Sequence, residues 1–290
     1  HPRDGETTPE FVFYLSNLPQ FRVVTISLME GSTNRQRVPN DIFDENLQIP
    51  VPPLEEQRRI AEVLSTVDEK LRATEEIIET TEELKRGLMQ DFYTSGVQDH
   101  DSHQETPEGD LPSEWSLDRV SDHAEIVSGA HVKSDLVTSD STETPYLTGP
   151  ADFSGRGFKV TKYTNSPKTF CEPGDTLITV KGMGCGSSVL SDARVSISRQ
   201  LKAVRPGDDL IEEYLFYWIR FNEDRLHTLA EGTRQLGLST SDIASFPLPF
   251  PSLKEQQEIA RTLSTVETKL RDERSKKNRR QKLKRGIIQD

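Results

Sequence analysis

Three sets of residues in this 290-residue chain have types and spacings that could do chemistry. The first is the run Lys181-Gly-Met-Gly-Cys-Gly186. Glycine-rich loops cradle phosphates because their backbone amides approach closely. This run lacks the Gly-Lys-Ser/Thr ending of a phosphate-binding loop, and a tight turn between strands is the plainer reading. The second set is basic and amide side chains: Arg156, Lys159 and Lys162, then Lys181, then Arg194, Arg199 and Gln200, then Arg234 and Gln235. Arginine forks onto the guanine edge and glutamine onto the adenine edge, while lysine takes phosphate. These nine are candidates for duplex DNA contact, although most surface Arg and Lys touch only water. The third is His100 and His103. With no further ligand type nearby they read as a solvated loop and not a metal site. No Gly-x-Ser-x-Gly elbow, nuclease carboxylate cluster or Asn-Pro-Pro-Tyr-like motif is present, so no catalytic residue is assigned.

The elements that must position these side chains are set by an internal repeat. Residues 54–91 return at 253–290 with a constant offset of 199 and 18 identities in 38 positions. Leu54-Glu-Glu-Gln57 answers Leu253-Lys-Glu-Gln256, and Leu84-Lys-Arg-Gly87 answers Leu283-Lys-Arg-Gly286. A duplication of this period sets the architecture before any motif does. Upstream, Glu10-Phe-Val-Phe-Tyr14 resembles Glu213-Tyr-Leu-Phe-Tyr217, and Ile49-Pro-Val-Pro52 resembles Leu248-Pro-Phe-Pro251. Each copy is therefore the tail of a globular domain, a proline-rich joint and a helix. The first copy holds only the end of its globular part. With His1 in place of Met, this suggests an N-terminally truncated fragment of a longer protein.

Within the helices, Ile60, Leu64, Val67 and Leu71 recur as Ile259, Leu263, Val266 and Leu270. This 4-3-4 spacing is a narrow coiled-coil stripe that needs a helical partner. Ser252 and Glu255 have capping-box spacing at the start of the second helix. Residues 74–83 hold five Glu and no base, whereas 273–282 hold six Lys or Arg and one Glu. Opposite charge beside a seam sets partner and direction, so the two helices are expected to pair antiparallel within the chain. Two solvated faces that happen to differ are the plain alternative. At ~1.5 Å per residue, 38 residues span about 57 Å, between one and two turns of B-DNA at ~34–36 Å each.

Net charge is −12 and hydrophobic content 33%. The acidity alone argues against nucleic acid, yet the quantity that matters is the local patch. No apolar run reaches membrane-spanning length, and two cysteines, Cys171 and Cys185, fit a reducing cytoplasm. Polar residues 96–110 read as a linker. Beyond it, Ser116–Ala130 reads as a short helix or strand ending in a glycine turn. Strands are expected at Thr144–Thr148, Phe158–Tyr163 and Gly174–Val180, with two more in Ser187–Val204. Ile211–Leu229 has aromatic residues and leucines at helical spacing. The fold class is α+β: a mixed α/β domain over 111–250, helices over 51–95 and 251–290, and a domain remnant over 1–50.

With the repeat in view, the chain resembles the specificity (S) subunits of Type I restriction-modification systems. The resemblance lies in Pro52-Pro-Leu-Glu-Glu-Gln57 through Leu84-Lys-Arg-Gly87 and its recurrence to Asp290, in Leu111-Pro-Ser-Glu-Trp115 through Ser128-Gly129, in Pro173-Gly-Asp175 to the glycine loop, and in Tyr214 to Trp218. It implies that residues 111–250 are a target-recognition domain, flanked by two long helices pairing as an antiparallel coiled coil. It implies double-stranded DNA, methyltransferase (M) subunits and an endonuclease/translocase (R) subunit as partners. No cofactor is expected in this chain, S-adenosylmethionine being expected on the methyltransferase. Two other function classes stay open on the residues alone: a coiled-coil scaffold without DNA binding, and an enzyme using the glycine loop on a nucleotide.

Overall fold

The computed structural model describes residues 5–27, 29, 51–182, 184–231 and 237–289. The repeat match at Ile49-Pro50, and the candidates Arg234 and Gln235, lie outside them. The chain divides into two compact units, residues 1–81 with 270–290, and residues 82–269.

The first unit holds helices α1 (Pro9–Ser16) and α2 (Pro19–Ser27), with the N-terminal part of α3 (Leu54–Thr94) and the C-terminal part of a long last helix (Leu253–Gln289). α1 begins where Thr8 caps it, its hydroxyl accepting from Phe11 N at 3.3 Å, with a proline in the first turn. The carboxamide of Gln57, fully buried in α3, accepts from Thr8 N at 2.9 Å and donates to the carbonyls of Glu6 and Pro52, each at 2.8 Å. Ala61, Leu64 and Val67 are buried, while Ile60 and Leu71 are half-buried. The last helix runs antiparallel to α3. Asp68 pairs with Lys284 at 2.5 Å and Glu75 with Lys277 at 3.0 Å, and Arg280 donates to the Lys70 carbonyl at 3.1 Å and to Thr74 Oγ1. The acidic middle of one helix thus faces the basic middle of the other, as the charge pattern predicts.

The second unit carries the sheets. After α3 come β1 (His103–Thr106), β2 (Gly109–Pro112), β3 (Ser116–Arg119), α4 (Val120–His123) and β4 (Ala124–Ser128). Short strands β5 (Val137–Thr138), β6 (Thr144–Leu147), β7 (Phe153–Ser154), β8 (Gly157–Phe158), β9 (Tyr163–Thr164) and β10 (Phe170–Cys171) follow. Then come β11 (Thr176–Thr179), β12 (Ser188–Leu190), β13 (Val195–Ile197), β14 (Leu201–Pro206), α5 (Glu212–Phe221), α6 (Glu223–Glu231), α7 (Thr240–Ala244), β15 (Pro247–Phe250) and α8 (Leu253–Gln289). An antiparallel sheet in the order β12-β11-β14-β4 lies beside a five-stranded sheet in the order β10-β13-β6-β9-β5, whose β13–β6 pair is parallel. Successive residues of β11 serve two cores: Leu177 packs with Leu147, Ile197 and Leu201, and Ile178 packs with α5. With both faces covered, the strand reads as a continuous buried run and not an alternating one.

α5 buries six consecutive residues, Tyr214 to Ile219. Tyr93 of α3 joins them, its ring 4.9 Å from Trp218 and its hydroxyl donating to the Tyr214 carbonyl at 2.8 Å. Ile259 and Leu263 of α8 complete this core, and Leu270 in the other unit is also buried, while Val266 is half-buried. Gln256 repeats the arrangement of Gln57. It accepts from Ile211 N at 2.9 Å and donates to the carbonyls of Asp209 at 3.2 Å and Pro251 at 3.0 Å. Lys85 likewise bonds Glu267 and lies 5.7 Å from the Tyr217 ring, as Lys284, bonded to Asp68, lies 5.7 Å from the Tyr14 ring.

Several expectations are corrected. Residues 96–110 are more than a linker, because β1 and β2 form a hairpin there. His100 is no solvated loop residue. Its side chain is 4% exposed and lies 3.0 Å from Glu255; His103 is exposed as expected. The capping box is half formed. Glu255 N donates to Ser252 Oγ at 3.3 Å, but the carboxylate is taken by Trp115 Nε1 at 3.0 Å, Val97 N at 3.1 Å and His100. The strand expected at Phe158–Tyr163 is two short pieces, because Lys159 N turns away to donate to the Asp152 carbonyl. Ser187–Val204 holds three strands, and Ile211–Leu229 breaks into α5 and α6 at Asn222. Both cysteines are free and buried, and burial pushes both thiols up.

Candidate nucleic-acid interface

A cavity of about 680 Å³ opens among the loops around the five-stranded sheet. Three of the candidate residues, Lys162, Arg199 and Gln200, line it together with His131, Lys133 and Asp135. Three permanent cations and one carboxylate line this cavity, in a chain whose net charge is −12.

Arg199 and Gln200 form the tight turn from β13 to β14, which exposes both side chains. Ser198 fixes that turn: its hydroxyl accepts from Gln200 N at 3.1 Å and donates to the Thr148 carbonyl at 2.7 Å. Lys162 is aimed by a relay, donating to Thr148 Oγ1 at 3.0 Å while that hydroxyl donates to Asp152 at 2.9 Å. Asp152 is buried and also accepts from Thr148 N at 2.6 Å. Tyr146 forms part of the wall, and burial pushes its phenol up, against hydrogen bonds from Val132 and Ser198 and the Arg199 charge.

Gly129 delivers the opposite wall. Its amide donates to the Leu201 carbonyl at 3.0 Å, and Ala130 N donates to the Ile197 carbonyl at 3.1 Å. A Cβ at 129 would overlap the Ser198 carbonyl, so only glycine lets this strand end lie against the β13–β14 turn. His131, Val132 and Lys133 follow directly. His131, Lys133, Thr148 and Asp152 were not legible as site residues, since they come together only through sheet pairing distant in sequence. The Ser128-Gly129 turn was the one local signal.

The other candidates lie elsewhere. Arg156, in the β7–β8 turn, donates to Glu213 and to Ser264 Oγ, both at 3.1 Å, and stacks near Phe216 and Tyr217. It ties that hairpin to α5 and α8. Arg194 donates to Glu172 at 2.9 Å and covers Phe170 at 3.8 Å. Lys159 is exposed, and Lys181 is exposed beside a bridge to Gly237. Among the described residues no group of three or more His, Cys, Asp or Glu is gathered as for a metal ion, and no helix is long and apolar enough to cross a membrane.

A repeated long helix, with a domain of mixed sheets and helices between the copies, defines the class of protein. Residues 2–83 and 112–285 match the family described as Type I restriction modification DNA specificity domain, and the chain belongs to that family. A putative type I restriction enzyme MjaX specificity subunit of Methanocaldococcus jannaschii is 25% identical over 290 residues, covering 99% of this chain and 68% of that protein. The HsdS subunit of Thermoanaerobacter tengcongensis is similar in structure, with a TM-score of 0.59, 25% identity, and coverage of 98% of this chain and 69% of that one. A chain from a structure on complex assembly and conformational transition of the type I R-M system gives a TM-score of 0.67 at 25% identity, with 98% and 70% covered.

Proposed function

We propose that this chain is the sequence-reading subunit of a type I restriction-modification complex, and that the cavity around Lys162, Arg199 and Gln200 meets one part of a bipartite duplex site. The observation that carries this reading is the concentration of cations at that cavity in an acidic protein. Phosphate affinity follows local Lys and Arg, not whole-chain charge. Arg199 and Gln200 suit guanine and adenine edges in the major groove. The paired helices α3 and α8 act as ruler and as docking platform for methyltransferase subunits and an endonuclease/translocase subunit. Methyl transfer, with its S-adenosylmethionine, belongs to the methyltransferase, so this chain recognises without catalysing and works in the cytoplasm where the DNA lies.

Selection of bound duplexes from a random pool by the full chain with its methyltransferase tests this. One recurrent sequence element is expected, and its enrichment should vanish in the double variant Arg199→Ala, Gln200→Ala. Enrichment unchanged in that variant would move the reading surface elsewhere. No enrichment by the unaltered complex would favour a scaffold role.

A further inference from the structure

Lys202, on β14, lies outside the lining of that cavity. It is 9% exposed. Its ammonium donates to two neutral hydroxyls, Ser128 Oγ at 2.7 Å and Thr240 Oγ1 at 2.8 Å. Among the described residues neither Lys202 nor Lys181 pairs with a carboxylate. Burial pushes the Lys202 ammonium below the usual lysine range, and the charge of Lys181 adds to the effect. A buried cation without a counter-ion is costly to desolvate, and this one has none in a chain of 48 acidic residues against 36 basic. An ammonium bonded only to neutral hydroxyls is matched in charge to an anion.

The surroundings say where that anion enters. Ser128, Thr240 and Lys181 are exposed, so the ammonium lies just beneath solvent. Each hydroxyl spends a lone pair on Lys202 and keeps its O–H to donate outward. Val180 N donates to the Gln200 carbonyl at 2.8 Å, so Lys181 directly follows a residue bonded to the base-reading turn. Backbone phosphates flank base edges at this scale, and about half or more of protein–DNA hydrogen bonds go to them.

We propose that Lys202, Lys181, Ser128 and Thr240 form a clamp for one backbone phosphodiester of the DNA, beside the base-reading cavity. The proposal rests on the DNA-recognition reading above. The test is the salt dependence of duplex binding by the full chain in its complex, for Lys202→Met and Lys181→Ala. Each phosphate contact contributes about 0.9 to the slope of log affinity against log salt. Both variants are expected to lower the slope by about 1, and to weaken cognate and scrambled duplexes alike. Unchanged slopes would overturn the clamp. Should Lys202→Met fail to fold by circular dichroism, the exposed Lys181→Ala alone decides. If the unaltered complex bound duplex with a normal slope and the variants kept it, only the clamp would fall; if the unaltered complex bound no duplex, the recognition reading would fall with it. ATP that stabilised the unaltered chain but not Lys202→Met would make a nucleotide the phosphate source and overturn the DNA assignment.

Discussion

Arg199 and Gln200 sit side by side in a turn held by Ser198, and that rigidity is what the proposed base readout would require of them. A side chain on a pre-set turn loses less freedom on binding than one on a floppy loop. Arg199→Ala is expected to cost about 1–3 kcal/mol of discrimination, read by competition between cognate and scrambled duplexes. An equal loss on both would make Arg199 a phosphate contact. Elsewhere in the same unit, His100 responds to pH. Its hydrogen bond to Glu255 raises its pKa above the usual 6.5, with Glu114 adding charge. The stability contributed by that pair is complete below about pH 6.5 and is lost as pH rises through the raised value. His123 behaves with the same sign: burial pulls it down, and hydrogen bonds to Asp118 and Asp209 outweigh that. Melting temperature should therefore fall from pH 6 to 8, and His100→Gln should flatten part of that fall. Parallel declines in the variant and unaltered chain would remove His100 from the account.

At the level of elements, the contacts that join the two helices are polar: Arg280 donates to Thr74, and Asp68–Lys284 and Glu75–Lys277 pair across them. The polar part was legible from the charge of 74–83 against 273–282, whereas Ile259 and Leu263 of the apolar stripe, expected to face a helical partner, pack into the core around α5. Glu75 is half exposed, so its pair is worth only about 0.2–1 kcal/mol. Glu75→Lys should lower the melting temperature slightly at low salt, and adding Lys277→Glu should restore it. A double-mutant cycle with no coupling energy would leave direction to Asp68–Lys284 and Arg280. The buried glutamines matter more. Gln256→Ala strands the Ile211 amide and two carbonyls without partners, and an unsatisfied buried group costs about 1–3 kcal/mol. Denaturant titration should show a loss of about 2–4 kcal/mol if the amide joins the start of α5 to α8. A loss under about 0.5 kcal/mol, the range of an ordinary surface change, would show that water replaces it.

Across the whole molecule, the repeat explains why so much was readable in advance. Gln57 and Gln256, and the pairs Asp68–Lys284 and Glu267–Lys85, occupy equivalent positions, so one sequence pattern states each local rule twice. The cavity has no such redundancy. His131 and Lys133 meet Lys162 and Arg199 through pairing between distant strands, and a single sequence carries no signal of which strands adjoin. His100 was misread for the same reason, since its partner lies 155 residues away. The repeat also makes the two units unequal in a way that can be measured. Phe216 in α5 is 0% exposed beneath the sheet, whereas its counterpart Phe13 in α1 is 58% exposed. α1 buries Phe11 and Leu15, against six consecutive residues in α5. Burying one such side chain is worth about 1.5–3 kcal/mol, so α1 opens at far lower cost than α5. Hydrogen exchange followed by mass spectrometry should find the amides of α1 and α2 exchanging orders of magnitude faster than those of α5 and β11. Binding to a methyltransferase should leave that order intact wherever the partner covers only α3 and α8. Equal protection of α1 and α5 in the isolated chain would mean that the exposed face of α1 is covered in solution, and the two copies would then be equal in stability despite their unequal cores.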